Sequence, residues 1–494
     1  MNQHHPVERL IQHAQAKFLH LKQRQSRSYG AAYNEYHRRY KLQPPPGFEG
    51  WYKFALARGA VIIDDFDTIF TGISPFLALS GKEVTRIMSD AFRHPGSELW
   101  LCRFSLGHTE CEHSYRKYDR HISAMFNELL RGLDINVPVS FLVNHLDEPR
   151  VLPQLSTADS HSFQDLSHSS RTWKELTRGC VNMNDTLRST SNGNTSNVLD
   201  TFGLPFVQDS SVMDLCKHPE YRDMHGLFLS PTSMSLIRGV PILSTGTLSI
   251  MADILIPSPA YTESEFQYVQ ETDVDWDKKR NKLVWTGSNT GGYAKDETWS
   301  SFHRQRFVEL AQNKRQREYD YLRVGKNGLV ERAKSTFLNS RLYNVAFSRI
   351  FQCKRRYCRD QRTYFTIKPW SDKDEALRYR LAFDLDGNGI SGRFYKLLAS
   401  KTLPLKQTLL REWHSERLIP WLHYVPVSLG LEELPELVAY LTSTETGRQR
   451  AEEMANQGRD WFFKALRRED MSIHLYRLLL ELARLQDPAR EAMA

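Results

Sequence analysis

Asp384, Asp386, Asn388, Ser391 and Arg393 crowd into one stretch, Tyr379-Arg380-Leu381-Ala382-Phe383-Asp384-Leu385-Asp386-Gly387-Asn388-Gly389-Ile390-Ser391-Gly392-Arg393. It reads as a short apolar strand, a turn of Asp, Gly and Asn, then a Ser and an Arg opening a helix. Free backbone N–H groups and the helix dipole converge at such a junction and make an anion seat. An Arg beside it forks onto phosphate oxygens with two charge-assisted bonds. A solvated polar turn would have the same composition, so the stretch needs company. Calcium is a poor fit: Asp384, Asp386, Asn388 and Gly389 match positions 1, 3, 5 and 6 of a calcium loop, but position 12 is Tyr395 instead of Glu.

A second seat of this kind is Leu283-Val284-Trp285-Thr286-Gly287-Ser288-Asn289-Thr290-Gly291-Gly292. Gly287, Gly291 and Gly292 admit a ligand close to the backbone, and Ser288 and Thr290 offer hydroxyls. The loop is neither a Walker loop nor G-x-G-x-x-G. Arg304 sits on the first turns of a helix expected from about Ser300, within reach of the same anion. Two such seats suit a nucleoside diphosphate. A third element, Val143-Asn144-His145-Leu146-Asp147-Glu148-Pro149-Arg150, follows an apolar strand. Asp147 there is either a turn former or a general base, which must reach an attacking hydroxyl. The pairs Asp65/Asp67 and Asp273/Asp275 have the D-x-D spacing of metal-bound sugar nucleotides but follow no buried strand. No metal and no other cofactor is expected.

These residues need α/β elements to hold them. One helix is expected over residues 6–42, ended by Gln43-Pro44-Pro45-Pro46-Gly47. Strands over 99–104 and 137–144 flank a helix over 118–133, the order of an α/β unit. Residues 155–200, rich in Ser, Thr, Asn and His, read as a surface insertion. A second α/β series starts near residue 240, with strands at 240–243, 283–285, 381–383 and 403–405, and helices over 432–443 and 446–485. The division is a helical segment 1–43, an α/β domain 44–270, a second α/β domain 271–445 and a helical tail 446–494.

At 494 residues, with 40% hydrophobic and 11% aromatic content, the chain is folded and long enough for two or three cores. A net charge of +8 favours anionic ligands. The dense basic clusters, Lys278 to Lys282 and Lys354 to Arg362, read as solvated faces, so no nucleic-acid partner is expected; RNA binding is the rival of a different class. Six cysteines form no C-x-x-C pair; Cys102/Cys111 and Cys353/Cys358 are close enough for local bridges. Two glycosylation triplets, Asn184-Asp185-Thr186 and Asn194-Thr195-Ser196, lean towards an oxidising lumen. No run approaches about 18 apolar residues, and a membrane anchor is not expected in this chain.

Together, Asp386-Gly387-Asn388-Gly389 with Ser391 and Arg393, Glu412-Trp413, and Pro420-Trp421-Leu422-His423-Tyr424-Val425-Pro426-Val427 resemble glycosyltransferase family 90, the fungal capsule-associated enzymes and animal protein O-glucosyltransferases. Trp285-Thr286-Gly287-Ser288 resembles that family's Trp/Phe-Arg-Gly-Ser donor loop, and Asn144 to Arg150 its Asn-x-x-Asp-x-Pro segment. Asp214-Leu215-Cys216 and His225-Gly226, before Pro231, fit the fungal branch. The resemblance runs from about residue 40 to 445. It implies a GT-B fold, two Rossmann-like domains facing a cleft, and an inverting, metal-independent transferase moving xylose or glucose from a UDP-sugar to a polysaccharide, glycolipid or glycoprotein. It implies Asp147 as base, and Ser288, Arg393 and Arg304 on the donor phosphates. Thr286 stands where many members have Arg, which leaves a dead UDP-sugar binder as the alternative. The family's compartment is the secretory lumen, Golgi or ER.

Overall fold

The computed structural model describes residues 4–117, 121–133, 138–154, 163–180, 201–326, 328–369 and 372–493. Apolar runs at 283–285, 381–383 and 403–405 become strands Arg280–Ser288, Tyr379–Leu385 and Leu403–Gln407. With Tyr343–Arg349 and Val425–Pro426 they form a five-stranded, wholly parallel sheet, ordered Tyr343–Arg349, Arg280–Ser288, Tyr379–Leu385, Leu403–Gln407, Val425–Pro426. Parallel strands are buried on both faces, which is why they read as unbroken apolar runs. Because all five point one way, the loops after Ser288, Leu385 and Gln407 leave from one edge, the usual ligand edge of such a sheet.

A second five-stranded sheet is mixed, ordered His108–Glu112, Leu99–Ser105, Val139–Asn144, Ile242–Ser244, Ile254–Leu255. Here the expected strand–helix–strand unit is corrected. Leu106 and Gly107, both at positive φ (50° and 78°), make a two-residue turn into His108–Glu112, and the Cys102–Cys111 disulfide joins directly opposed residues. Leu99–Ser105 and Val139–Asn144 are therefore antiparallel. The helix, Ile122–Leu129 instead of 118–133, links the two strands flanking Leu99–Ser105. Ile242–Ser244 also belongs to this sheet and not to the later series, pairing parallel with Val139–Asn144. A hairpin, Tyr319–Val324 with Val330–Ser335, was not foreseen.

The single helix expected over 6–42 is two, Pro6–Gln23 and Tyr29–Tyr40. Ser28 caps the second by accepting from Ala31 N, and at the break Ser26 N donates to Asp64 and Gln25 accepts from Ile63 N. The helix over 446–485 is likewise Glu445–Ala465 and Arg468–Leu485. Neither end is an appendage. Val7, Leu10 and Ile11 pack into the core of the parallel sheet, whereas Ile473, Leu475 and Leu478 pack into that of the mixed sheet. Trp51 Nε1 donates to the Ile473 carbonyl at 3.0 Å, tying the chain's two ends together.

All six cysteines are paired; Cys102–Cys111 and Cys353–Cys358 are the local bridges, and Cys180–Cys216 the third. Both glycosylation triplets, and residues 155–162 and 181–200 of the insertion, lie outside the described residues; Thr172–Leu176 is a short helix within it. No described helix is long and apolar enough to cross a membrane.

The segment 225–233 lies against the loop that follows Ser288. A Cβ on Gly226 would sit 2.0 Å from the Gly291 carbonyl. Gly226→Ala is expected to lower stability by about 1–3 kcal/mol through overpacking. An unchanged thermal midpoint would show that the two backbones part there at no cost.

Candidate active site

Trp285, 2% exposed, ends the apolar run of its strand and is the floor of the site. Phe307 stacks on Phe383 at 4.0 Å and meets Trp285 edge-on, which docks helix His303–Ala311 across two neighbouring strands. Arg304 is thereby brought from the first turn of this helix over the strand ends. The helix begins at His303, after a 3-10 turn Glu297–Ser301, not at Ser300.

Arg304 is 5% exposed and commits four donors to protein acceptors. Its Nε donates to the Asp386 carbonyl (2.8 Å), Nη1 to the Ser288 carbonyl (2.9 Å) and Thr290 Oγ1 (2.6 Å), and Nη2 to the Leu385 carbonyl (3.3 Å). It is a bolt between the two glycine loops. Burial, then the charge of Arg393, pushes its pKa down to about 9, so it stays cationic at neutral pH. Arg393 is different. It is partly exposed and gives one N–H to the Thr286 carbonyl (2.6 Å); no other acceptor on its guanidinium is seen among the described residues. Both guanidiniums lie within reach of the Trp285 ring, at 5.7 and 6.0 Å. Gly287 makes the approach possible: a Cβ there would stand 2.7 Å from the Trp285 ring and 3.0 Å from Arg393 Nη2. Two cations held together by carbonyl oxygens repel each other and favour an anion beside them.

Ser288 Oγ lies 3.2 Å from Thr290 Oγ1, so the two hydroxyls share the lip of this loop. Asp386 and Ser391 are placed otherwise than the sequence suggested. Ser391 opens no helix; Phe394–Ala399 starts after Arg393, and the Ser391 hydroxyl donates to buried Asp384. Asp386 Oδ2 accepts from Thr408 Oγ1 (2.9 Å) and Leu409 N (3.0 Å), and burial raises its pKa to about 6. Asp384 also pairs with Lys406 at 3.0 Å. The carboxylates thus brace the turn from beneath. Neither is turned outward as a calcium ligand would be.

Asp147 follows strand Val139–Asn144 in a turn closed by one side chain. Asn144 Nδ2 donates to the Glu148 carbonyl (2.8 Å) while its Oδ1 accepts from Leu146 N (3.0 Å). Asp147 is exposed; Glu148 is buried, accepts from Ser233 N (3.0 Å), and is pushed up to about 7 by burial, with a smaller contribution from Asp147. The Asp147 turn abuts the other sheet's loop. A Cβ on Gly389 would lie 2.2 Å from the Asp147 carbonyl and 3.3 Å from its Cβ. The structure therefore brings Asp147 to the turn that carries Arg393.

Several participants escaped the sequence reading. Asn388 Oδ1 accepts from Gly291 N (2.9 Å), joining the two glycine loops. His225 and His303 stack in parallel at 3.6 Å behind them, and His303 Nε2 meets the Asp386 carbonyl at 2.8 Å. Asn289, fully buried, accepts from Phe351 N at 2.9 Å beside the Cys353–Cys358 bridge. Asn388, His225 and Asn289 belonged to motifs named above; their partners are fixed only by the fold.

The D-x-D pairs are structural. Asp65 pairs with Arg24 and Arg39, Asp67 with Arg39, Asp273 with buried Lys279, and Asp275 with Lys278 and Lys401. Within the basic clusters, Lys279 is spent on Asp273, Arg280 on Glu375 and Arg362 on the Ile350 carbonyl. A cavity of about 790 Å³ also opens at the strand ends, lined among others by Lys17, Asp253, Lys406, Arg411 and Glu416.

Sequence comparison accords with this geometry. The sequence model of Glycosyl transferase family 90 matches residues 238–492, just over half of the chain, including both glycine loops, Arg304 and Arg393. An O-glucosyltransferase rumi homolog from Aedes aegypti is 30% identical over 115 residues. That stretch is 23% of this chain and 28% of the relative, so the chain matches under a third of the relative's length. With the family match spanning the site's cationic loops, the chain belongs to glycosyl transferase family 90.

Proposed function

We propose that the protein is an inverting, metal-independent glycosyltransferase that moves glucose or xylose from a UDP-sugar to a hydroxyl of a glycan or protein. The observation that carries this reading is the abutment of the Asp147 turn on Gly389, which sets an exposed carboxylate beside a cation-bearing glycine loop. The two sheets, with residues 44–270 and 271–445 as their domains, form the GT-B pair, and the loops between them hold donor and acceptor. The rumi relative is named for O-glucosyl transfer, which supports glucose. Three disulfides favour an oxidising compartment, the secretory lumen.

In the proposed step the acceptor O–H gives its proton to the Asp147 carboxylate as its oxygen bonds to the anomeric carbon from one face. The bond from that carbon to the UDP oxygen breaks on the other face and UDP leaves with the electron pair. The growing charge is met by Arg393 and the Ser288 hydroxyl, with Arg304 adding field from within the scaffold. Thr286 takes part through its carbonyl, which holds Arg393.

Asp147→Asn is expected to cut transfer by about 10²–10⁴-fold, the usual worth of a general base. Titration calorimetry with UDP should give the wild-type affinity; weakened UDP binding would make Asp147 a structural residue. Arg393→Ala should abolish measurable UDP binding while the far-UV spectrum stays native, and unchanged affinity would remove the donor site from this loop.

A further inference from the structure

One chain of hydrogen bonds crosses from the Asp147 turn to both glycine loops. Glu148, the neighbour of Asp147, accepts from the backbone N–H of Ser233, the residue after Thr232, at 3.0 Å. The Thr232 hydroxyl has two acceptors within reach, Asn388 Oδ1 at 3.1 Å and Gln352 Oε1 at 3.3 Å, and one proton to share between them. Asn388 Oδ1 in turn accepts from Gly291 N. Gly291, at φ 105°, holds a conformation that favours glycine, so its N–H direction is fixed by the loop. The same segment is pinned again where Tyr293 N donates to the Ser230 carbonyl at 2.8 Å.

We infer that Thr232 and Asn388 are positioning residues, a latch that fixes the Asp147 turn in register with the donor loops. This rests on the reading of Asp147 as base. Neither residue touches the reacting atoms. Thr232 is the link because its hydroxyl serves the donor side while the N–H of the next residue, Ser233, serves the base side. If the hydroxyl is lost, Asn388 Oδ1 keeps Gly291 N as a donor and the half-buried Gln352 amide turns to water, so a Thr232→Val chain folds. What it loses is register, and a misplacement of about 1 Å at a reacting pair costs up to about 100-fold in rate.

The test compares Thr232→Val with Thr232→Ser. Thr232→Val should lower kcat by about 10- to 100-fold, with UDP affinity and thermal midpoint near wild type, and Thr232→Ser should restore kcat. Amide hydrogen exchange over 144–149 and 288–292 should quicken together in Thr232→Val and in neither segment of Thr232→Ser. Unchanged exchange in either segment, or equal kcat in the two variants and the wild type, overturns the latch. Exchange needs no turnover, so it decides the latch even for a wild type that consumes no UDP-sugar, a result that would defeat the catalytic reading alone.

Discussion

Two guanidiniums held side by side over one buried tryptophan are the constraint around which the parallel sheet's edge is built. Alone, Arg304 and Arg393 would repel each other at considerable cost in a water-poor setting. The fold offsets this with carbonyls of Thr286, Ser288, Leu385 and Asp386, aimed inward from two loops. Beneath them Asp384 and Asp386 supply negative charge, steadied by Lys406 and Thr408. The division of labour follows from burial. Arg304, with four of its five N–H donors spent, sets the loops; Arg393, partly exposed, keeps donors for a ligand. An anion is the ligand that this excess of positive charge suits.

The second sheet reaches this edge through contacts that exclude side chains. Gly226 against Gly291 and Gly389 against Asp147 are approaches of backbone to backbone. Around them the stacked imidazoles of His225 and His303, both held far below their usual pKa by burial, stay neutral and add no further charge to a site already rich in cations. The terminal helices each bury apolar side chains in a core distant in sequence.

Sequence legibility tracked how local each feature is. The strands at 283–285, 381–383 and 403–405 stood out because parallel strands are continuously apolar, and Asp147 stood out because it ends such a strand. The hairpin at Leu106-Gly107 was hidden because Leu gives no turn signal, and it reversed the chain before the expected helix. Helix breaks near residues 25 and 466 depend on Asp64 and on a cap at Arg467, which helical periodicity does not report. Side-chain direction was least legible. Asp386 and Ser391 have the right chemistry for a ligand but turn inward, and Thr232 lies in no motif because both its partners are remote.

The most direct test of the central claim is UDP release from a panel of UDP-sugars by the purified protein, with EDTA present throughout. UDP-glucose or UDP-xylose should be turned over at a rate indifferent to the chelator. Turnover that stops on chelation, or no binding of any UDP-sugar, would contradict it.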